Sequence, residues 1–380
     1  MNSSHAYALS AAAAVLVLAG CGPKDGAREL GEGRAAFELG DNKKAERLLE
    51  KSLSMSPGNV DALVSLARVK LALGEIPAAG ECIGKAAERA AGDVDVRLVQ
   101  AQVAWFAKDF DAAAKTFAGL ANDAALAPDI RAQGWTGLGV VEMSREKPDI
   151  ARTCFLRAIR IDRRCAAAWY HLGLLYRDAF GYPEAALEQF EIFVRLEESA
   201  SPRVQKVQRS VIPAIKETVA RTTASLPGVS GRDSAASSAE MSKAIAALKK
   251  KDYRTARSRY EAALKSDPLN YPAALGLAQA WQRTDLTKAG QTKALEAYRR
   301  ACVLRPGAVK EAFLPAGALA ARLGMHAQAV EIYSRAVAAS PASFDALDGL
   351  VRALGKVGGR AKDAQAYQDY RKSITVRRKQ

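Results

Sequence analysis

The stretch Ala166 to Leu196, AAAWYHLGLLYRDAFGYPEAALEQFEIFVRL, decides how the whole chain of 380 residues is read. Trp169, Leu172, Gly173 and Tyr176 share the spacing of one helix face, and Ala186, Phe190 and Phe193 take up that spacing again further on. The stretch is therefore one helix-turn-helix unit.

These residues resemble the tetratricopeptide repeat (TPR) signature, W-x2-L-G-x2-Y followed by A-x3-F, whose period is about 34 residues. The resemblance implies an all-α, TPR-type helical-hairpin solenoid, and it can be followed through the chain. Stepping by the period, a small residue at the close crossing of the two helices recurs at Ala45, Ala79, Ala113, Ala151 and Ala186. Four residues after each stands a large side chain, Leu49, Ile83, Phe117, Phe155 and Phe190. Trp135, Leu138 and Gly139 repeat the front half of the signature one unit before Trp169. Further on the alanine recurs at Ala256, Ala294, Ala329 and Ala364, followed by Tyr260, Tyr298, Tyr333 and a less regular match at Tyr367. Gly40, Gly74, Gly324 and Gly358 mark inner turns, while Pro57, Pro268, Pro306 and Pro341 close units because proline cannot continue a helix.

About nine repeats follow, in two blocks. Five fill residues 26–200 and four fill 239–370. Between them, 201–221 reads as a capping helix opened by Ser201-Pro202 and kinked at Pro213, and the Ser-, Thr- and Gly-rich stretch 222–238 reads as a linker. An insertion falls around Leu286 to Thr292, and the basic tail 371–380 loses the apolar period. Composition agrees with helix throughout, since the 49% apolar share is carried by Ala and Leu with few β-branched runs.

Residues 1–20 form a leader. The apolar run Ala6 to Leu18 is too short to span a bilayer comfortably, which takes about 20 apolar residues. It ends in Leu18-Ala19-Gly20-Cys21, which resembles the bacterial lipobox. The resemblance implies that Cys21 is acylated and becomes the mature N-terminus, with 21–25 as a tether. It places the protein outside the cytoplasm, anchored to a membrane, and Gly22 after the cysteine favours the periplasmic face of an outer membrane. Met1 to His5 carry no Lys or Arg, which departs from that family, so an ordinary secretory signal or an uncleaved anchor stays open. Cys82, Cys154, Cys165 and Cys302 form no C-x-x-C pair and are expected as buried thiols.

A repeat array of this kind presents its first helices on one wall, and the resemblance assigns Arg34, Phe37, Arg68, Gln102, Trp105, Thr136, Met143, Tyr170 and Arg177 to it. Arginine grips carboxylates in two-pronged fashion and aromatics supply contact area, so the expected partner is a protein or peptide segment of acidic character. The alternative is that these side chains only cover the neighbouring repeat. The carboxylate clamp of the chaperone-adaptor subclass is absent, because Leu30, Val64, Leu98, Thr136 and Tyr170 fill its places.

Charge is divided unevenly. Residues 1–200 carry about three net negative charges and 201–380 about eighteen net positive, which together give the formal +15. The excess gathers at Lys249, Lys250, Lys251, Arg254 and Arg257. Such a patch suits anionic lipid, acidic polymer or an acidic protein; export argues against nucleic acid. The chain shows no phosphate loop, no paired histidines among His5, His171 and His326, and no nucleophile beside a base. No enzyme activity, metal or cofactor is expected. The reading is a lipid-anchored scaffold for a cell-envelope complex, with adhesion to anionic lipid or polymer through the basic block as the alternative.

Overall fold

The computed structural model describes residues 26–197, 201–224 and 231–376. The leader, Cys21 and its tether, residues 225–230 of the expected linker and residues 377–380 lie outside them. Among the described residues the chain takes nine helix-turn-helix steps and no strand. It divides into two compact units: one runs to Lys147 and includes Arg157–Ala168, and the other holds Pro148–Leu156 and the chain from Trp169 onward. The units do not coincide with the two repeat blocks, for a reason that emerges from the buried side chains of the second.

In the first unit α1 (Ala27–Glu38), α2 (Asn42–Met55), α3 (Val60–Leu73), α4 (Ile76–Ala90), α5 (Val94–Phe106), α6 (Phe110–Asn122) and α7 (Pro128–Ser144) follow one another with short turns. Ala45, Ala79 and Ala113 are completely buried, and Leu49, Ile83 and Phe117 nearly so. No helix buries its apolar face alone. Leu30, Ala36, Ala45 and Leu49 of the first hairpin form one cluster with Ala62, Leu66 and Val69 of the next. Each large side chain removed from water in this way contributes about 1.5–3 kcal/mol, so a repeat is stable only in the company of its neighbours.

The repeat period is written in the backbone as well. A left-handed residue ends the first helix of successive hairpins at Gly40, Gly74, Lys108 and Glu146, with φ of 81°, 80°, 63° and 58°. At each, the following amide reaches back to a carbonyl one turn earlier, Asp41 to Ala36, Glu75 to Lys70, Asp109 to Ala104 and Lys147 to Glu142, which satisfies carbonyls left over at the helix end. Asp41 and Asp109 then cap the next helix by accepting from the amides of Lys44 and Ala112. Lys108 and Glu146 hold a conformation that only glycine takes without penalty, at about 1–2 kcal/mol each.

The second unit contains the first part of α8 (Pro148–Ile161), most of α9 (Ala166–Asp178) and then α10 (Pro183–Leu196). A closing segment follows, α11 (Pro202–Lys206), a π-turn at Val207–Val211 and α12 (Ile212–Ala224). The remaining hairpins are α13 (Ser234–Lys249) with α14 (Tyr253–Ser266), α15 (Tyr271–Thr284) with α16 (Lys288–Leu304), a π-turn at Val309–Phe313 and α17 (Leu314–Arg322) with α18 (His326–Ala339), and α19 (Phe344–Leu354) with α20 (Ala361–Val376). Ala151, Ala186, Ala256, Ala294 and Ala329 are completely buried and Ala364 is 9% exposed. Both π-turns end two residues before a proline, Pro213 and Pro315. A proline has no amide hydrogen and its ring pushes on the carbonyl four residues earlier, so the helix widens there instead of breaking.

Helix occupies part of the stretch read as linker, since Thr222–Ala224 end α12 and Ser234–Ser238 open α13 under the cap of Asp233. The inner turn expected at Gly358 falls on Gly359, whose φ is 76°. The inserted residues lengthen α16 at its start and leave Leu286 84% exposed in the preceding loop. Cys82, Cys154, Cys165 and Cys302 are thiols, of which Cys154 and Cys302 are buried and the other two half-buried.

Candidate interaction surfaces

In the first unit the wall of first helices carries an ion-pair ladder. The Arg34 guanidinium lies 3.1 Å from the Asp61 carboxylate and donates to the Ser65 hydroxyl at 2.9 Å. One period later Arg68 pairs with Asp95 at 2.5 Å. Each arginine sits in the third turn of a first helix, and each aspartate at the start of the next first helix, so equal spacing along the sequence becomes equal spacing across the wall. All four side chains are more than a third exposed. Such pairs contribute at most about 1 kcal/mol and can be exchanged for a ligand's charges.

At Gln102, half-buried, the ladder gives way to an uncharged residue. Beyond it the Trp105 indole N–H donates to the Ser144 hydroxyl at 2.8 Å, and its ring stands edge-on to Phe106 with centroids 4.8 Å apart. Phe37 packs against the first core cluster. Met143 is half-buried. Thr136 is buried and donates to the Ala132 carbonyl at 2.8 Å, so it is part of the interior and offers nothing to a ligand.

Tyr170 and Arg177 belong to the second unit. Tyr170 leans on Phe190 and Phe193, with centroids at 5.9 and 5.1 Å, and the Arg203 guanidinium of the closing segment covers its ring at 5.3 Å. The ring is held by the fold on both sides. Arg177 forms a two-pronged pair with its neighbour Asp178 at 2.6 and 2.8 Å, and Asp178 raises its affinity for the proton.

The basic residues of the second block fall on the edge where hairpins turn. Lys249, Lys250, Lys251 and Arg254 are exposed, and no ion pair engages them among the described residues. Arg257 lies over the Trp281 ring at 3.9 Å, with Lys293 also near that ring at 4.8 Å. The Arg283 guanidinium donates to the Tyr253 hydroxyl at 2.8 Å and spans 5.2 Å to its ring. Asp252 and Asp285, the nearby carboxylates, are held below the usual carboxylate range by the hydrogen bonds they accept from Thr255 and Thr287. A separate open cleft of about 390 Å³ lies between α19 and α20, lined by Arg352, Arg371, Lys372 and Asp348 among others.

Sequence reasoning missed the largest fully buried side chain among the described residues. Arg152 is fully buried, donates to Tyr367, to the Ser334 hydroxyl at 2.9 Å and to Asp149 at 3.1 Å, and lies over the Phe180 ring at 4.5 Å. Burial works against its charge, but Tyr367 and Asp149 outweigh burial and its proton affinity rises. Arg360 also binds Asp149. The only signal in the sequence is Tyr367 itself, which follows Ala364 by three residues where the other repeats have four. The cluster ties the first part of α8 to α18 and α20, which is why the compact unit begins inside α8.

Among the described residues no group of His, Cys, Asp and Glu could hold a metal ion, and no helix is long and apolar enough to cross a membrane. The fold and these surfaces define a helical-repeat scaffold with exposed charged and aromatic contact residues and no assembled reactive centre among the described residues. Residues 36–103, 136–201 and 241–309 match family models described as tetratricopeptide repeat, which together span more than half of the chain. The chain belongs to the tetratricopeptide repeat proteins.

A curated relative, the human Superkiller complex protein 3, is 27% identical over 260 residues, which is 67% of this chain and 16% of that protein. The chain thus spans about a sixth of its length. A solved structure of Pseudomonas aeruginosa pilF is 18% identical with a TM-score of 0.38, covering 69% of this chain and 98% of that one. That of the APC/C hetero-tetramer Cut9-Hcn1 is 16% identical with a TM-score of 0.35, covering 90% and 78%.

Proposed function

We propose that this chain is a lipid-anchored, extracytoplasmic scaffold that holds protein segments and serves the assembly or regulation of a cell-envelope complex. The observation that carries the binding half is the ladder Arg34–Asp61, Arg68–Asp95, ending in the hydrogen-bonded indole of Trp105. A bound segment would place its carboxylates on the two arginines, in exchange for Asp61 and Asp95, and an apolar side chain against Trp105. The anchoring half rests on Leu18-Ala19-Gly20-Cys21, outside the described residues.

Pull-down from envelope extract with Arg34, Arg68 and Trp105 all changed to Ala tests the first half. The expected result is loss of the partners that the unaltered chain captures, and unchanged recovery would refute it. For the anchor, Cys21→Ser should move the protein from the membrane fraction to the soluble fraction; retention in the membrane counts against acylation at Cys21.

A second reading is favoured by one observation, the four exposed cations Lys249, Lys250, Lys251 and Arg254, which no ion pair engages among the described residues. On this reading the second block adheres electrostatically to an anionic lipid or polymer surface. The two readings use different units of the chain and are compatible.

A further inference from the structure

The turn between α13 and α14 and the turn between α15 and α16 lie on one edge of the second unit. Two hydrogen bonds show it: Arg283 at the end of α15 donates to Tyr253 at the start of α14 at 2.8 Å, and Arg257 to Thr284 at 3.5 Å. This brings together seven cations, Lys249, Lys250, Lys251, Arg254, Arg283, Lys288 and Lys293, with two carboxylates, Asp252, which caps α14, and Asp285, which accepts from the Thr287 amide in the loop before α16. From the same edge Leu286 projects, 84% exposed. Leu39 is equally exposed in the first unit, but its neighbours there are Glu38, Gly40 and Asp41. At Leu286 a bare apolar side chain stands among exposed cations.

We propose that this edge docks on the anionic headgroup layer of a membrane, with its lysines and arginines against lipid phosphates and Leu286 entering the boundary of the acyl chains. The inference rests on the adhesion reading and names its surface. Lysine is a hydrated point charge that needs no shaped acceptor, which suits a fluid layer of headgroups. The cations lie on turns and helix ends. An exposed leucine stabilises contact with a layer that has an apolar interior and contributes nothing against a soluble acidic polymer.

The test is vesicle co-sedimentation of the full chain. Met1 to Leu18 contain no Lys, Arg, Asp or Glu, so beyond the single charge of the α-amine and that of His5, binding through that segment is apolar and adds comparably on neutral and anionic vesicles. Vesicles with roughly one third phosphatidylglycerol should bind at least about tenfold more tightly than pure phosphatidylcholine, with the difference shrinking as salt rises. Changing Lys250, Lys251 and Arg254 together to Glu should remove that difference, and Leu286→Ala should weaken anionic-vesicle binding about threefold while leaving polyphosphate binding unchanged. Melting temperatures of the variants, all at exposed sites, should match the unaltered chain. Equal binding to both vesicle types and to no polyphosphate overturns the adhesion reading and the inference together. Charge-dependent polyphosphate binding, with vesicle binding indifferent to Leu286, overturns the lipid assignment alone.

Discussion

Arg152 and Tyr367, 215 residues apart in sequence, meet in the interior of the second unit, where the guanidinium donates to the phenol oxygen. The phenol in turn donates to Asp149 at 2.6 Å, and Asp149 also receives Arg152 itself at 3.1 Å. Three groups that would each be expensive to bury alone thus satisfy one another. The arrangement joins the first part of α8 to α18 and α20.

Breaking this cluster on one side leaves a charge buried without its partner. Arg152→Ala should therefore destabilise the second unit by about 3–5 kcal/mol, and Tyr367→Phe by about 1–3 kcal/mol. Urea unfolding followed by helical circular dichroism checks both, and amide exchange should rise first in α18 and α20. Unchanged exchange there would show that the cluster does not hold these helices.

Alkaline pH should unfold the protein early. Burial pushes the phenols of Tyr176, Tyr182, Tyr298, Tyr333 and Tyr367 above the ordinary value of 10.0, so above that pH the unfolded chain loses protons that the folded chain keeps. The unfolded state then binds fewer protons, and stability falls as pH rises from the unfolded value toward the folded ones. Melting temperatures from pH 8 to 11 should be flat at first and drop beyond about 10. In parallel, phenolate absorbance should appear together with unfolding.

Two glycines frame the Tyr333 ring. A Cβ at Gly317 would stand 2.6 Å from it and one at Gly349 2.3 Å. Either glycine changed to alanine should cost about 1–3 kcal/mol through overpacking. By contrast, Gly84 lies inside α4 with nothing within 4 Å of a Cβ, so Gly84→Ala should stabilise by about 0.5–1 kcal/mol. Thermal or urea midpoints should move in opposite directions for the two kinds of site.

Burial pushes the Cys302 thiol up to about 12. At pH 8 it should resist a thiol reagent such as Ellman's until the chain unfolds, because the reactive thiolate is absent. Rapid labelling of Cys302 in native protein, located by peptide mapping, would contradict its burial.

The ladder predicts an effect in the unusual direction. Asp61→Ala with Asp95→Ala should leave stability within about 1 kcal/mol, since exposed pairs contribute little. It should also strengthen capture of an acidic partner by uncovering Arg34 and Arg68. Weaker or equal capture would show that the partner uses the carboxylates, or neither group.

Fold was legible because a repeat protein states its rules many times. Ala45, Ala79 and Ala113, and likewise Gly40 and Gly74, serve identical local roles, and local roles depend on short-range sterics that one sequence can display. The candidate surfaces were legible only as positions. Arg34 and Arg68 could be placed on the wall of first helices, but their engagement by Asp61 and Asp95 was not foreseen, although it too repeats along the sequence. Thr136 was misread because a hydroxyl looks the same in sequence whether it faces a groove or bonds to the Ala132 carbonyl.

By itself, then, the sequence determined the helix pairs, their period, their turns and the division of charge, all of which follow from residues within one or two repeats of each other. The tertiary structure decided which distant helices share an interior. Nothing in the sequence singles out Arg152 beside Ala151, and Tyr367 reads as an irregular repeat position, until packing of the first part of α8 against α18 and α20 excludes water from both. Desolvation of a charge depends on every segment that surrounds it, and no local pattern carries that information.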